Sequence, residues 1–226
     1  MKLSDTTVDI LKNFASINSG LVIKPGNVLK TISTNKAILA EAQVLEEFPR
    51  EFGIYDLNKL LGVVSLHDSP DIEFHDQYLA LGGVSGRSKT RLRYTETKLI
   101  LSPPDKKIAV PAYDVKFTLS KEDLEWIEKI GSILKCPYFV VTNEESNIIV
   151  SAMDVKGEVV DVSSLTVGAY ADPTPFKFVL KVENMKLVEG NYLVELSSRG
   201  IAKFSNQNVP VFYHVAIEQG SSSYGK

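Results

Sequence analysis

Cysteine and histidine are scarce in this sequence. The 226 residues include one cysteine, Cys136, so no disulfide can form within the chain. This excludes a disulfide-stabilised secreted scaffold and suits a reducing cytosol. The three histidines are scattered, and none stands at metal-ligand spacing from the cysteine. The sequence therefore predicts no metal centre and no cofactor.

Long apolar runs and an excess of one charge sign are also absent. No apolar run approaches the roughly 18–20 residues that span a bilayer. The first residues lead into a helix pattern with acidic residues and not into a signal peptide, so we expect no membrane partner. Lys and Arg number 25 against 28 Asp and Glu, a formal net charge of −3. This balance argues against a surface that attracts nucleic acid everywhere, but it leaves a local basic lining open.

Two amphipathic helix patterns stand about half a chain apart. The first covers residues 5–18, with Ser4 as a candidate N-cap, and its apolar residues share one half of the helix. The second begins near Lys121, where Ser120 and Asp123 have capping-box spacing. Its predicted apolar half consists of Leu124, Trp126, Ile127, Ile130, Ile133 and Leu134.

Similar segments follow both helices. Strand patterns come first, and then a short helix ended by glycine: residues 55–61 before Gly62, and residues 182–189 before Gly190. An apolar strand, residues 63–67 in the first half, comes after each short helix. Each half thus reads as helix, strands, short helix, strands, and internal duplication is the most economical interpretation.

A connector near the middle of the chain separates the two halves. Pro103 and Pro104 can neither donate to a β-ladder nor continue a helix, and a charged stretch follows them. We place a first domain at residues 1–107, with its connector from about residue 98, and a second at residues 108–226. Each is large enough for its own core. The predicted fold class is α+β, with two similar sheet-rich domains.

One glycine-rich segment resembles a phosphate-binding loop but fails its spacing. A Walker A motif has four residues between its glycines and a lysine directly after the second. Three residues separate Gly82 from Gly86, and Arg87 and Ser88 precede Lys89. A basic hairpin over residues 87–93 is the better interpretation, and its cations can still contact a polyanion.

Two classes of function, an enzyme and a structural protein, remain open from the residues alone. One is a small β-rich enzyme that uses His67 or His75, each followed by aspartate, with the basic loop 87–93; no nucleophile stands in a recognisable frame beside either histidine. The other is a ring-forming structural protein that binds no DNA, because internal repetition builds rings readily. The residues by themselves predict no assembled catalytic site.

Several segments, in the same order, closely resemble the DNA polymerase sliding clamps, or processivity factors, of T-even-type bacteriophages. The resemblance covers nearly the whole chain, is densest in the first 66 residues and is patchy between residues 68 and 107. The matching segments are residues 1–4, 11–20 and 54–62, with shorter matches at 65–66, 184–186 and 190–192.

This resemblance implies a homotrimer whose six domains form a ring around duplex DNA, with sheets outside and helices on one face, lining the bore. Such a clamp raises processivity because it cannot fall off DNA yet reads no base. The family implies no enzymatic activity of its own, an ATP-driven clamp loader, a polymerase C-terminal peptide as partner, and a role as a mobile platform for late viral transcription. The implied compartment is the cytoplasm of the infected bacterial host.

The DNA contacts that the resemblance implies are diffuse attractions between helix lysines and phosphates. Two departures bear on them: Asp5 stands where such clamps tend to carry a basic residue, and glutamates at 122, 125 and 128 share the polar half of the helix that begins near Lys121. The expected bore-facing residues are Lys12, Lys59, Lys121, Lys129 and Lys186, with Arg87, Lys89 and Arg91 as a second group.

A partner site is expected beside the connector, because clamps of this family hold partner peptides in an apolar pocket between their domains. The connector turns apolar after residue 107, which is unusual for an exposed linker. An aromatic residue at such a rim is a typical interface anchor. The expected residues are Ile108, Val110 and Tyr113, with Val215 and Ile217 of a late strand as the floor; the alternative is that they only seal the core.

Overall fold

The computed structural model describes residues 1–67, 69–82, 87–106, 110, 112–157 and 161–225. It divides into two units, Met1–Lys106 and Lys107–Lys226. Each unit contains one long helix and several antiparallel strands, as expected for an internally duplicated α+β chain.

Unit 1 begins with its long helix and continues with strands before and after a second helix. Its elements are α1 Asp5–Ile17, β1 Leu21–Ile23, β2 Gly26–Ile32, β3 Ile38–Phe48, β4 Phe52–Ile54, α2 Leu57–Ser65, β5 Asp71–Phe74, β6 Tyr78–Gly82 and β7 Lys89–Arg93. Strand β1 pairs with β4 and β2 pairs with β3, both antiparallel. A further sheet has the order β5-β6-β7, which leaves β7 at its edge.

The start of α1 is held by a local cap and by a distant carboxylate. The Ser4 hydroxyl accepts a hydrogen bond from the Thr7 backbone N–H at 3.3 Å, as an N-cap does. The two carboxylate oxygens of Glu46, on β3, accept from the Ser4 backbone N–H and from the Thr7 hydroxyl. Glu46 is buried, so these donors replace the water that its charge has lost. The helix is thereby tied to the strand on which it packs.

Helix α2 differs from the prediction. Residues 55–61 were expected to be a helix stopped by Gly62 and followed by a strand at 63–67, but α2 runs through Gly62 to Ser65. Four apolar residues of α2 stand at i, i+3, i+4 and i+7 and are buried: Leu57, Leu60, Leu61 and Val64. Burial of this stripe outweighs the cost of about 1 kcal/mol for one glycine inside a helix.

Unit 2 repeats the long helix and builds two antiparallel sheets. Its elements are β8 Val115–Leu119, α3 Lys121–Leu134, β9 Tyr138–Glu144, β10 Asn147–Met153, β11 Ser163–Ala169, β12 Phe176–Lys181, β13 Tyr192–Ser197, β14 Ile201–Asn206, β15 Val211–Ala216 and β16 Ser223–Tyr224. One sheet has the order β11-β10-β9-β12-β16, with β11 at its edge. In the other, β13 lies between β8 and β14, and β14 pairs with β15.

The core of unit 2 lies where α3 meets the sheets. Helix α3 is capped at its start by Ser120, whose hydroxyl accepts a hydrogen bond from the Asp123 N–H at 3.1 Å, and at its end by Lys135, whose φ of 54° stops the helix. Leu124 and Ile127 are buried among side chains from both sheets. A Cβ on Gly131 would stand 3.2 Å from the Phe139 ring, so glycine permits the close approach of α3 to this side chain of β9.

The second short helix is also different from the prediction. Residues 182–189 contain only a 3-10 turn, Val182–Asn184, and the residues after it are not helical. The Tyr213 hydroxyl accepts a hydrogen bond from the Val188 N–H at 3.2 Å, and the Tyr192 hydroxyl donates to the Val188 carbonyl. Both tyrosines are fully buried. These side chains satisfy the backbone N–H and C=O groups of Val188, so that residue needs no helix to pair them.

Replacing Glu46 with glutamine is expected to lower the free energy of unfolding by about 1–3 kcal/mol at neutral pH, since only one of the two donors keeps an oxygen partner. Burial raises the pKa of Glu46, but the hydrogen bonds from Thr7 and Ser4 outweigh it, so the pKa lies below its usual 4.5. A carboxylate with a lowered pKa stabilises the folded state above the unfolded-state pKa and loses that stabilisation as the pH falls through the folded-state value.

Denaturant unfolding between pH 7 and pH 3 measures this dependence. The difference in stability between the native sequence and E46Q is expected to be largest near neutral pH and to shrink below about pH 4.5. The neighbouring exposed carboxylate supplies a control, E47Q, which should match the native sequence throughout. A constant difference between E46Q and the native sequence at all pH values would contradict the assignment.

Candidate nucleic-acid interface

The outer face of α1 carries one of the predicted DNA-contact lysines among acidic neighbours. Lys12 is exposed, and its Nζ lies 2.9 Å from Asp9 Oδ1, one turn earlier. Asp5 and Ser16 share this exposed face, opposite the buried Leu11 and its neighbours. The face is therefore solvent-exposed and its charges include both signs.

The predicted lysine on α2 is exposed in the first turn of the helix. Lys59 donates its backbone N–H to Asp56 Oδ1 at 3.1 Å, which is the cap of α2, and its side chain extends into solvent. Helix α2 packs against α1, so both helices of unit 1 belong to one layer.

Helix α3 presents two predicted lysines in a row of ion pairs. Glu125 lies 3.6 Å from Lys121 Nζ and 3.2 Å from Lys129 Nζ, four residues away on either side. Lys121 also contacts Glu189 at 2.7 Å. We call Lys121, Glu125 and Lys129 the α3 ion ladder. The hydrogen bond from Lys129 is the largest cause that lowers the pKa of Glu125, and the bond to Glu189 is the largest that raises the pKa of Lys121.

The other two glutamates of α3 differ in exposure. Glu122 is exposed near the start of the helix. Glu128 is half-buried, and burial followed by repulsion from Glu125 raises the pKa of Glu128. The outer face of α3 therefore carries Glu122 and Glu125 beside its lysines, while Glu128 lies to one side.

Lys186 is exposed, but it does not lie on a helix. It follows the 3-10 turn Val182–Asn184 and the buried Met185. The expectation that a second helix of unit 2 carries this lysine is therefore wrong, for the backbone reasons given above for residues 182–189.

The predicted second group lies on a strand edge and beside it. Lys89 and Arg91 belong to β7, and Arg87 is exposed just before it. Lys89 Nζ lies 2.7 Å from Glu73, and the Arg91 guanidinium lies 5.2 Å from the centroid of the Tyr78 ring. These cations thus accompany the sheet β5-β6-β7 and not a helix.

Two apolar side chains on α3 are exposed although the sequence pattern placed them in its buried half. Trp126 is 42% exposed and Ile133 is 73% exposed, whereas Leu124 and Ile127 are buried. Helix α3 packs on β10 and the edge strand β11, which cover a narrower stripe than the predicted one. Trp126 and Ile133 are seven residues apart, about two helical turns, and therefore share one exposed side of α3.

The predicted partner residues have different environments in unit 2. Ile217 lines a cavity of about 310 Å³ together with Phe178, Gly200, Gln219 and Tyr224. Val215 is fully buried in β15 and does not reach this cavity. Val215 and Ile217 were expected to form the floor of one pocket, but of the two only Ile217 lines this cavity.

The connector residues are only partly described. Ile108 lies outside the described residues, and Val110 is half-buried. Tyr113 is half-buried, with Lys116 Nζ 5.8 Å from its ring centroid, and burial raises the pKa of Tyr113. The Ser197 hydroxyl donates to the Ala112 carbonyl at 2.8 Å, which ties the end of the connector to the loop that lines the cavity.

Comparisons with known proteins match both halves of the chain. Residues 2–101 match the family described as DNA polymerase processivity factor, and residues 116–219 match the C-terminal domain of the gp45 sliding clamp. The sliding clamp of Escherichia phage RB69 is 32% identical over 231 aligned positions, covering 98% of this chain and 99% of the relative. That of Vibrio phage KVP40 is 30% identical over 216, covering 94% and 97%. The chain belongs to the sliding-clamp family.

Solved structures support the same fold. The proliferating cellular nuclear antigen of Entamoeba histolytica has a TM-score of 0.70 at 12% identity. The superposition covers 96% of this chain and 97% of that protein's chain. The Helicobacter pylori beta clamp bound to a DNA ligase peptide has a TM-score of 0.71 at 14% identity, and this chain spans 65% of its length. The protein is a DNA sliding clamp of the phage type, which tethers a DNA polymerase for processive synthesis.

The enzymatic alternative finds no support in these comparisons. His75 stacks on Tyr78 with ring centroids 4.4 Å apart, and its Nε2 lies 3.3 Å from Glu73 Oε2, so its ring contacts side chains of β5 and β6. His67 follows α2, and Asp68 lies outside the described residues. Within the described part of the chain, no group of His, Cys, Asp and Glu is arranged to hold a metal ion, and no helix is long and apolar enough to cross a membrane.

Proposed function

We propose that this clamp works as a homotrimer in which residues 1–107 and 108–226 are its two clamp domains, so that six domains surround the duplex. The observation that carries the proposal is the match of both halves to clamp families, together with one long capped helix in each unit. A ring made from copies of one chain needs a head-to-tail interface that closes on itself.

Two sheet edges are suited to form that interface. Strand β7 of unit 1 and strand β11 of unit 2 each end a sheet. Pairing β7 of one subunit with β11 of the next would satisfy both rows of backbone groups and remove two aggregation-prone edges. The exposed Ile133 on α3, which packs against β11, would then be covered by the neighbouring subunit.

The DNA contacts of this proposal are made through phosphates only. Lys12, Lys59, Lys121 and Lys129 lie on helices, with Lys186 on the adjoining loop. Their long side chains can follow the backbone without reading bases, so the clamp slides. Arg87, Lys89 and Arg91 remain the proposed second group of DNA contacts. Unlike the helix lysines, they would lie beside the subunit interface once β7 is paired.

The remaining roles follow from a clamp that has no chemistry of its own. The clamp hydrolyses nothing, so an ATP-driven loader must open the ring around DNA. Its partners include the C-terminal peptide of a DNA polymerase and factors for late viral transcription that use the same ring as a platform. The proposed location is the cytoplasm of the infected bacterial host.

A primer-extension assay on circular DNA tests the function as a whole. We expect this protein to lengthen the products of its polymerase only when a loader and ATP are both present, because a closed ring cannot thread circular DNA. Stimulation without a loader on circular templates, or turnover of a small substrate that a His75 substitution abolishes, would contradict the proposal.

The cavity of unit 2 that Ile217 lines is the proposed docking site for partner peptides. Its lining combines apolar side chains with the exposed hydroxyl and amide groups of Ser198 and Gln219, which suits a short peptide. The Helicobacter pylori beta clamp, which shares the fold, binds a DNA ligase peptide. Ile108, Val110 and Tyr113 would form the rim that the resemblance implies.

Replacing Ser198 with tryptophan is expected to fill this cavity and weaken binding of the polymerase C-terminal peptide at least about tenfold, a loss typical of a blocked interface centre. Ser198 is exposed, so the fold and the native mass should not change. Isothermal titration of the peptide measures the effect. Thr118→Trp, at an exposed position of β8, is the matched control, and equal affinity in both variants would place the docking site elsewhere.

A further inference from the structure

Both long helices share one arrangement around the lysines proposed to contact DNA. In α1, Asp9 precedes Lys12 by one turn, and in α3, Glu125 precedes Lys129 by one turn. Each carboxylate is in direct contact with its lysine, at 2.9 Å and 3.2 Å. A phosphate that binds either lysine must therefore compete with a carboxylate already in place.

Glu125 occupies the central position of the α3 ion ladder. It bridges Lys121 and Lys129, so one carboxylate engages two of the proposed DNA contacts. Lys121 has a further partner in Glu189, whereas Lys129 pairs with Glu125. All three side chains of the ladder are at least two-fifths exposed, so the pairs can open without disturbing the core.

We propose that Glu125 limits the affinity of the clamp for duplex DNA by holding Lys121 and Lys129 in the ion ladder, which keeps the loaded ring mobile. This inference rests on the proposed DNA contacts of α3. Exposed ion pairs contribute little to stability, so exchange of a carboxylate for a phosphate is nearly balanced. A contact of this kind breaks and reforms easily, which suits a ring that must slide and not stop.

Neutralising Glu125 should therefore strengthen DNA binding. With E125Q, we expect the equilibrium affinity for a short linear duplex, measured by fluorescence anisotropy, to rise about two- to fivefold, the range that an exposed ion pair can account for. The slope of log K against log salt should steepen by roughly one unit for each lysine released. On circular DNA, the loaded E125Q ring should diffuse more slowly in single-molecule tracking.

A matched charge change separates the ladder from a general effect of net charge. Glu144 is exposed at the end of β9, and E144Q removes the same charge without releasing a lysine of α3. The double variant E125Q/K129Q should lose most of the gain. Equal affinities for E125Q and E144Q, or an unchanged salt slope in E125Q, would overturn the inference while leaving the clamp function intact.

The outcomes also distinguish this inference from the proposed function. If the native protein loads onto circular DNA but E125Q behaves like E144Q, only the role of Glu125 fails. If the native protein neither binds linear duplex nor loads with loader and ATP, the proposed DNA contacts fail and the role of Glu125 fails with them. Thermal unfolding of each variant checks that the exposed substitutions leave the fold unchanged.

Discussion

Replacing Ile133 with glutamate is expected to leave a folded monomer and to abolish loader-dependent processivity. The side chain is 73% exposed on α3, so the isolated chain loses little when it becomes polar. In the proposed ring, the same side chain is covered by the next subunit beside the edge strand β11. An unpaired carboxylate there would cost at least about 2 kcal/mol at each of the subunit interfaces.

Native mass spectrometry measures the change directly. We expect the native protein near 75 kDa, about three copies of the 25.0-kDa chain, and the variant at the mass of one copy. Leu45→Glu is the matched control, because Leu45 is 86% exposed on β3 and lies at neither proposed edge. A trimeric Ile133→Glu protein, or a monomeric Leu45→Glu protein, would show that the interface is formed by other residues.

The long helices were predictable because their signals are local. Ser4 and Ser120 cap α1 and α3 as the sequence indicates, and the first buried residues of each apolar stripe follow at helical spacing. Caps and i, i+4 neighbours lie within a few residues of each other, so the sequence carries them without knowledge of the fold. The α3 ion ladder belongs to the same class of local signal.

The short elements were not predictable, because distant residues determine them. Gly62 would end a helix in isolation, but burial of its apolar neighbours carries α2 past it. Residues 182–189 have a helical sequence pattern, but Tyr192 and Tyr213 supply the hydrogen bonds of Val188. In both places tertiary contacts outweigh local helix propensity, and the periodicity of the sequence does not reveal such contacts.

The candidate site, too, was predictable only where the signal in the sequence is local. Periodicity placed Lys12 and Lys129 on the polar halves of α1 and α3, and both side chains are exposed. It misplaced Trp126 and Ile133, because the half of a helix that is apolar need not be the half that its own sheet covers. The cavity that Ile217 lines is also formed by Gly200 and Gln219. Its lining residues come from separate parts of the sequence, so periodicity did not indicate it.

Reversing the charge of Lys12 and Lys129 together is expected to reduce loader-dependent product length at least about tenfold at moderate salt. Each substitution changes the charge by two units, so a trimer changes by about twelve at the proposed DNA-facing surface. The new glutamates would also repel Asp9 and Glu125, which now pair with the lysines, and the α3 ion ladder would keep only the cation of Lys121.

Salt dependence and a matched double variant decide this last prediction. The native clamp should lose product length as salt rises, because fewer phosphate contacts survive, while the double variant should be short at every salt concentration. Lys98→Glu with Lys156→Glu makes the same charge change at exposed positions off the long helices and should behave like the native clamp. If K12E/K129E keeps full processivity at several salt concentrations, α1 and α3 do not supply the DNA contacts, and the cations at Arg87, Lys89 and Arg91 become the leading assignment.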